Sequence, residues 1–362
     1  MNRREFLRTT AAAAAAASFP WRDAAARTTG GWREYEVTTR VTILEPRGVS
    51  RAWVPLPMLE ETEWQRPLGS SWSGNAAKAR IASDGKYGAA MLAAEWREGE
   101  TAPAIEVTSR FMTRDRAVDP YRRDPQAERL SAAEAAFYTA ATDLIPTDGI
   151  VRDTARDIVK DARSDVEKAR AIYEWVVENT FRDPKTRGCG WGDIKSMLET
   201  RNFGGKCGDL NAMFVGLCRS VGVPARDVYG VRVAPSALGY RSLGVGSPVI
   251  SKAQHCRAEF FAQGVGWVPV DPADVRKVVL EEPPTRLAID HPKVAAARKR
   301  LFGSWEMNYL AYNMAHDVTL PGSAGTKIPY LMYVNGETAG EALDPLEPDT
   351  FRYEIRSSGV KA

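Results

Sequence analysis

The sequence predicts an α+β protein whose core joins a helical lobe to an antiparallel sheet, with a small β-rich domain ahead of it. Three observations carry this. Leu210, Met213, Phe214, Leu217 and Val221 fall at i, i+3, i+4, i+7 and i+11, which is one face of a helix. Further helical patterns fill the chain from 130 to 201, whereas 31–118 reads as short alternating runs broken by glycine and proline. Gln254 to Asp271 reads as two strands around a glycine-containing turn, an antiparallel hairpin. With 362 residues the chain has room for a sizeable core and for more than one domain.

In chain order, Asn2-Arg3-Arg4-Glu5-Phe6-Leu7-Arg8 resembles the twin-arginine export signal. A mildly apolar run to Phe19 and the small residues Ala24-Ala25-Ala26 follow, so 1–26 is assigned to an export signal peptide. The alanines at 11–17 are too few and too weakly apolar for a membrane span. The expected location is the periplasm, with no stable membrane insertion after signal removal. Formal net charge is +3; Arg3, Arg4, Arg8 and Arg22 against Glu5 and Asp23 place +2 of it in the signal, leaving about +1. That balance argues against a nucleic-acid partner.

The β-rich domain, 31–118, contains the strand candidates Tyr35–Ile43, Arg51–Pro57 and Ala104–Met112. A polar linker leads to 126–285, the expected catalytic core. Its helices are expected over Leu130–Leu144, opened by a Ser131/Glu134 capping box, over Ile150–Asp161, from Asp165, and over Gly190–Arg201. The third carries Ala169, Ile172, Tyr173, Val176 and Val177 on one face. Strands are expected from Val228. The glycine- and serine-rich loop 235–251 is long enough to rim a site or to be a plain surface excursion. The aromatic tail, 286–362, reads as a β-rich extension packed on the core.

Gly204-Gly205-Lys206-Cys207 places a cysteine at the start of the best-defined helix. Free backbone N–H groups and the helix dipole favour the thiolate there, and Lys206 is expected to push the same way. Folding the hairpin symmetrically about Gln263 sets His255 opposite Asp271, with Cβ atoms about 4.5–5.5 Å apart. The carboxylate would then hold one imidazole nitrogen and leave the other for a thiol. Nucleophile, base and orienting group are what cysteine catalysis requires. His291 and His316 lie in no comparable setting. Of the other cysteines, Cys218 lies about 16 Å along the helix from Cys207 and cannot bridge to it. Keeping Cys207 free leaves Cys189, Cys218 and Cys256, an odd number for a disulfide framework.

Gly204–Asp209 together with Val221-Gly222-Val223-Pro224-Ala225-Arg226, His255 on a strand, and Gly266-Trp267-Val268-Pro269-Val270-Asp271-Pro272 resembles the core signature of the transglutaminase-like superfamily. The stretch from Lys168 to Val176 is similar to the helix that family places upstream. The resemblance covers about 150–280 and implies a papain-like α+β fold. It further implies that Cys207 attacks a carboxamide or peptide carbonyl to form a thioester, with His255 as acid and base and Asp271 orienting it. For the oxyanion, the Cys207 N–H and the indole N–H of Trp191 are the candidate donors. Arg257 stands where many relatives carry an aromatic residue, which bears on pocket shape.

The resulting expectation is a cysteine-nucleophile enzyme acting on a peptide or protein substrate, hydrolytic (a peptidase or amidase) rather than cross-linking. No calcium loop of the Asp-x-Asp-x-Asp-Gly type stands out. A non-catalytic periplasmic module binding peptides or proteins is the alternative. A third reading makes Cys207, His255 and Asp271 zinc ligands, but no Cys-x-x-Cys or His-x-x-x-His spacing supports it. No cofactor is expected.

Overall fold

A computed structural model describes residues 31–325 and 327–360. Helix α1 (Ala132–Thr139) opens on the expected capping box: Glu134 N–H donates to the Ser131 hydroxyl, and Ser131 N–H donates to the Glu134 carboxylate at 2.7 Å. It ends before the predicted Leu144 because Thr142 and Ile145 exchange backbone hydrogen bonds and turn the chain. Helices α2 (Gly149–Ile158) and α3 (Asp165–Asn179) follow, and α3 buries Ala169, Ile172, Tyr173, Val176 and Val177, its predicted face. Helix α4 (Ile194–Thr200) starts later than predicted, since Gly190 and Gly192 adopt φ of +90° and +78°, which a helix cannot contain.

Helix α5 (Cys207–Ser220) departs from expectation in a way that matters. It is buried from Cys207 to Arg219, on every side rather than on one apolar face. Gly208, Ala212 and Gly216 make a second, small-residue stripe. A Cβ at Gly216 would lie 2.1 Å from Ile194 Cδ1, so glycine is what lets α4 approach. The other flank packs on an antiparallel sheet ordered 266–270, 254–262, 225–232, 309–313. Two unpredicted helices, α6 (Pro272–Glu281) and α7 (Pro292–Arg300), each start with proline in the first turn, where its missing N–H costs nothing.

The N-terminal strands form a sandwich. One sheet runs 351–359, 33–43, 104–113, 65–74; the other runs 341–343, 335–338, 50–55, 90–96, 78–83. Val41, Ile43, Val54, Leu92, Trp96 and Phe351 fill the space between them. This corrects the placement of the tail. Of 286–362, Tyr309–Asn313 joins the core sheet, but Asn335–Thr338 and Phe351–Gly359 pair with the N-terminal strands, Ile43 opposite Phe351. Without them the strands Arg33–Ile43 and Ser50–Pro55 would present open edges. Alternation in the tail shows a strand but not which edge it completes. Among the described residues no helix is long and apolar enough to cross a membrane.

Candidate active site

The position of Cys207 follows from how α5 begins. Lys206 is the N-cap residue, and the Asp209 carboxylate accepts the Lys206 N–H at 2.9 Å and the Gly192 N–H at 3.0 Å. Gly208 N–H donates to Cys189 O at 2.8 Å. The helix start is thereby tied to the Cys189–Gly192 turn. A Cβ at Gly190 would fall 1.8 Å from the Asp209 carboxylate, so this approach needs glycine. Replacing Asp209 with alanine is expected to cost about 1 kcal/mol, the usual loss of a helix cap, read from the urea midpoint.

His255 opens the strand Gln254–Ala262 opposite Gly230, where a Cβ would meet Leu310 O at 2.0 Å. The hairpin register differs from the predicted one. Ala262 pairs with Gly266 and Ala258 with Val270, so the turn centres on Gly264. Gly264 and Gly266 take the positive φ values of +79° and +91°, and these glycines, not Gln263, set the turn. Asp271 therefore lies beyond the last paired residue, Val270, and in this register its position falls opposite Arg257, two residues from the predicted partner His255. It nevertheless reaches His255, because it caps α6, accepting the Asp274 N–H at 3.0 Å, and its other oxygen lies 2.8 Å from His255 Nε2. That leaves Nδ1 as the free ring nitrogen. The Tyr309 ring stands edge-on to the imidazole with centroids 6.2 Å apart, and its hydroxyl lies 2.8 Å from His255 O.

Asp274, Arg232 and Asn211 were not expected here from the sequence, and Arg257 was expected to bear on pocket shape. Asp274 sits one helical turn after Asp271, 3.4 Å from His255 Nε2, and Arg232 binds it in two-pronged fashion at 2.6 and 2.7 Å. Arg257 Nε lies 3.7 Å from Asp271 and its guanidinium stacks over Tyr309. Asn211 Nδ2 donates to Cys256 O at 2.7 Å and lies 3.4 Å from Asp271. All of these groups are buried. The Asp-Pro-Ala-Asp spacing was the one available signal, since it places both acids in the first turn of a helix.

The surroundings of Cys207 bring its thiol well below the usual range. The neighbouring Cys189 and Cys256 thiols do most of this, burial opposes it, and His255 with its charge pushes the same way as the thiols. Cys189, whose thiol donates to Gln254 O at 3.5 Å, is pushed up, chiefly by its neighbour Cys207. For His255, burial and Arg232 disfavour the cation, but Asp274 and Asp271 together outweigh them and raise its pKa. Burial, then Asp274, raises Asp271. Asp274 is held below the usual carboxylate range: burial opposes ionisation, and Arg232 and His255 overcome it. So two anions and two guanidiniums, all buried, surround one imidazole.

Cys207, His255 and Gln254 line a cavity of about 330 Å³ whose far wall is Gly244–Ile250 of the glycine-rich loop. Gln254 Nε2 is buried without a hydrogen-bond partner. Trp191 is not in this wall. It is 70% exposed and lines an adjoining depression with Tyr330 and Tyr333, because the glycines on either side turn its backbone toward Asp209 and its ring toward solvent. The expected indole donor is therefore corrected. Arg257 also lies outside this cavity, behind Asp271. As for metal, the ligand atoms within 4.8 Å of one another belong to His255, Asp271 and Asp274, without Cys207. Their oxygens already serve Arg232 and His255, and a dication there would face two buried guanidiniums.

Comparison with known proteins agrees with this architecture. Residues 152–272 match the model of the transglutaminase-like superfamily, and residues 1–20 match that of the TAT (twin-arginine translocation) pathway signal sequence. The signal predicted at 1–26 lies outside the described residues; the match indicates export across the cytoplasmic membrane. A Haemophilus influenzae protein, called "Uncharacterized protein", is 34% identical over 341 residues, covering 89% of this chain and 90% of its own. The crystal structure of "a Putative Cysteine Protease from Cytophaga hutchinsonii" matches with a TM-score of 0.50 at 15% identity, over 90% of this chain and 97% of that one. At that identity the likeness concerns the fold. Matched motifs and a shared mixed helix-and-sheet architecture lead to one assignment: the chain belongs to the transglutaminase-like superfamily.

Proposed function

We propose that the protein is a periplasmic cysteine-nucleophile acyl-transfer enzyme that hydrolyses peptide or carboxamide bonds. The observation that supports it best is that Cys207 and His255 line one cavity, with the Asp271 carboxylate 2.8 Å from His255 Nε2. In this reading the Cys207 thiolate attacks the carbonyl carbon and the C=O electron pair moves onto oxygen. As the first residue of α5, Cys207 keeps its N–H outside the intrahelical ladder and can donate to that oxyanion. The unpartnered Gln254 amide is the second donor we assign, in place of Trp191. The C–N bond then breaks, and the leaving amine takes its proton from the imidazolium. Water, deprotonated by the now neutral His255, attacks the thioester, releasing a carboxylate and regenerating the thiol.

Water is favoured over an amine acceptor because the cavity is lined by Arg182, Lys206, Arg232, Lys252 and Lys277 and by no carboxylate. A protonated lysine approaching Cys207 would be repelled.

The sign of the pH dependence follows from the two shifts. The thiolate is favoured below the ordinary thiol range and the imidazolium above the ordinary imidazole range, so both shifts widen the pH window of the ion pair. Iodoacetamide applied from pH 4 to 9, with peptide mapping, is expected to label Cys207 ahead of Cys189, Cys218 and Cys256 below pH 7. Equal slow labelling of all four, only in the alkaline range, would point to the binding-module alternative instead. Incubation with dansylcadaverine and a glutaminyl peptide tests the acceptor: amine incorporation dependent on Cys207 would overturn hydrolysis.

A further inference from the structure

The cavity around Cys207 has a one-sided charge that the proposed chemistry does not require. Five basic side chains line it, and none of its lining residues is acidic. Their partners are few. Arg232 is neutralised by Asp274. Arg182 and Lys277 share the single carboxylate of Glu281, which lies 3.8 Å from Lys277. Lys206 and Lys252 have no carboxylate within ion-pair distance among the described residues. Lys252 is exposed at the rim and Lys206 half-buried beside the nucleophile. Burial, then the nearness of Arg232, pulls Lys277 below the usual lysine range, a crowding that a bound anion would relieve. A structural role for these lysines would call for paired carboxylates, as at Arg232, and two of them lack any.

We infer that the substrate is a peptide carrying a carboxylate next to the bond attacked, and that Lys206, Lys252 and Lys277 hold that carboxylate in the Cys207 cavity. The inference rests on Cys207 being the nucleophile, and it concerns what the cavity accepts rather than what the thiol does. Cations converging on a partly enclosed, low-dielectric space raise the local concentration of an anion and repel cationic peptides. They also leave the neutral flanks of a peptide unselected, so the preference is for charge.

Two alkylating reagents of nearly equal size and opposite electrostatic fate test this without a known substrate. The rate of Cys207 alkylation by iodoacetate, an anion, is divided by that by neutral iodoacetamide at pH 7. The same ratio is taken for a small thiol in solution. Because both rates scale with the thiolate fraction, the ratio cancels any change in thiol pKa. Wild-type protein at low salt is expected to exceed the free thiol's ratio by about tenfold or more. The excess should shrink strongly in 0.5 M salt, and Lys206→Gln combined with Lys252→Gln should remove most of it. A ratio equal to that of the free thiol, with Cys207 still readily labelled by iodoacetamide, overturns the inference and leaves the nucleophile intact. The salt series needs no variant, so misfolding of the double mutant cannot hide the result.

Peptides then identify the source of the charge. Three amidated or free tetrapeptides, one with an internal Glu, one with Gln in its place, one with Gln and a free C-terminal carboxylate, are compared by titration calorimetry against the Cys207→Ser protein. Tighter binding of the internal-Glu peptide than of its Gln twin assigns a side-chain carboxylate. Tighter binding of the third assigns a chain-terminal one. Equal affinity of all three overturns the inference even if Cys207 proves unreactive.

Discussion

Turnover of p-nitrophenyl acetate at pH 7 is expected to fall about a hundredfold or more when His255 is replaced by alanine, with an acetyl thioester accumulating on Cys207. The activated ester needs no proton for its leaving group, so the acylation step tolerates the loss. Deacylation does not, because water must give up a proton and, in the proposed reading, the base that takes it is His255, which lines the cavity with Cys207. Steady-state release of p-nitrophenolate and the mass of the trapped enzyme read the two steps separately. Deacylation needs neutral imidazole, and the folded pKa of His255 is raised by Asp274 and Asp271 against burial and Arg232. The rate should therefore climb with pH through a limb above the ordinary imidazole range. Asp271→Asn removes one of the anions that hold the proton, so that limb should move to lower pH. An unchanged turnover in His255→Ala would end the assignment of the base.

Arg232→Met is expected to destabilise the fold by about 3–5 kcal/mol, measured by urea unfolding at pH 7, because it strands a buried carboxylate. Asp274 is nearly inaccessible and its charge is balanced by the two-pronged contact from Arg232. Removing both partners, Arg232→Met with Asp274→Leu, should recover most of the loss, since the penalty belongs to the unpaired charge and not to the missing attraction. The pH dependence has a definite sign. Asp274 is depressed in the folded state, so its pairing contributes stability above the unfolded carboxyl pKa and loses it as pH falls through the folded value. The deficit of Arg232→Met should accordingly be largest at neutral pH and shrink on acidification. A deficit that stayed constant with pH would mean that packing, not charge, is what Arg232 supplies.

Much of the scaffold was legible because its signals are local. The capping box at Ser131 and Glu134, the buried face of α3 and the start of α5 at Cys207 each depend on residues within one or two turns. The hairpin was legible as a hairpin, but its register was not. Moving the turn centre by one residue, from 263 to 264, shifts every cross-strand partner by two, and that move hung on Gly264 and Gly266 both taking a positive φ. Helices α6 and α7 escaped notice because proline reads as a breaker until its place in the first turn is known.

The same division runs through the candidate site. Sequence alone determined that a cysteine opens a helix, that a histidine opens a strand, and that an aspartate follows the next one, since caps and alternation act over a few residues. Only the tertiary structure decided that the Cys189 and Cys256 thiols surround Cys207, that Asp274 and Arg232 complete the charge balance behind His255, and that the chain's last strand closes its first sheet. Those contacts join segments tens to hundreds of residues apart. Their distances are set by how a buried helix packs on a sheet, a quantity that no short stretch of sequence contains.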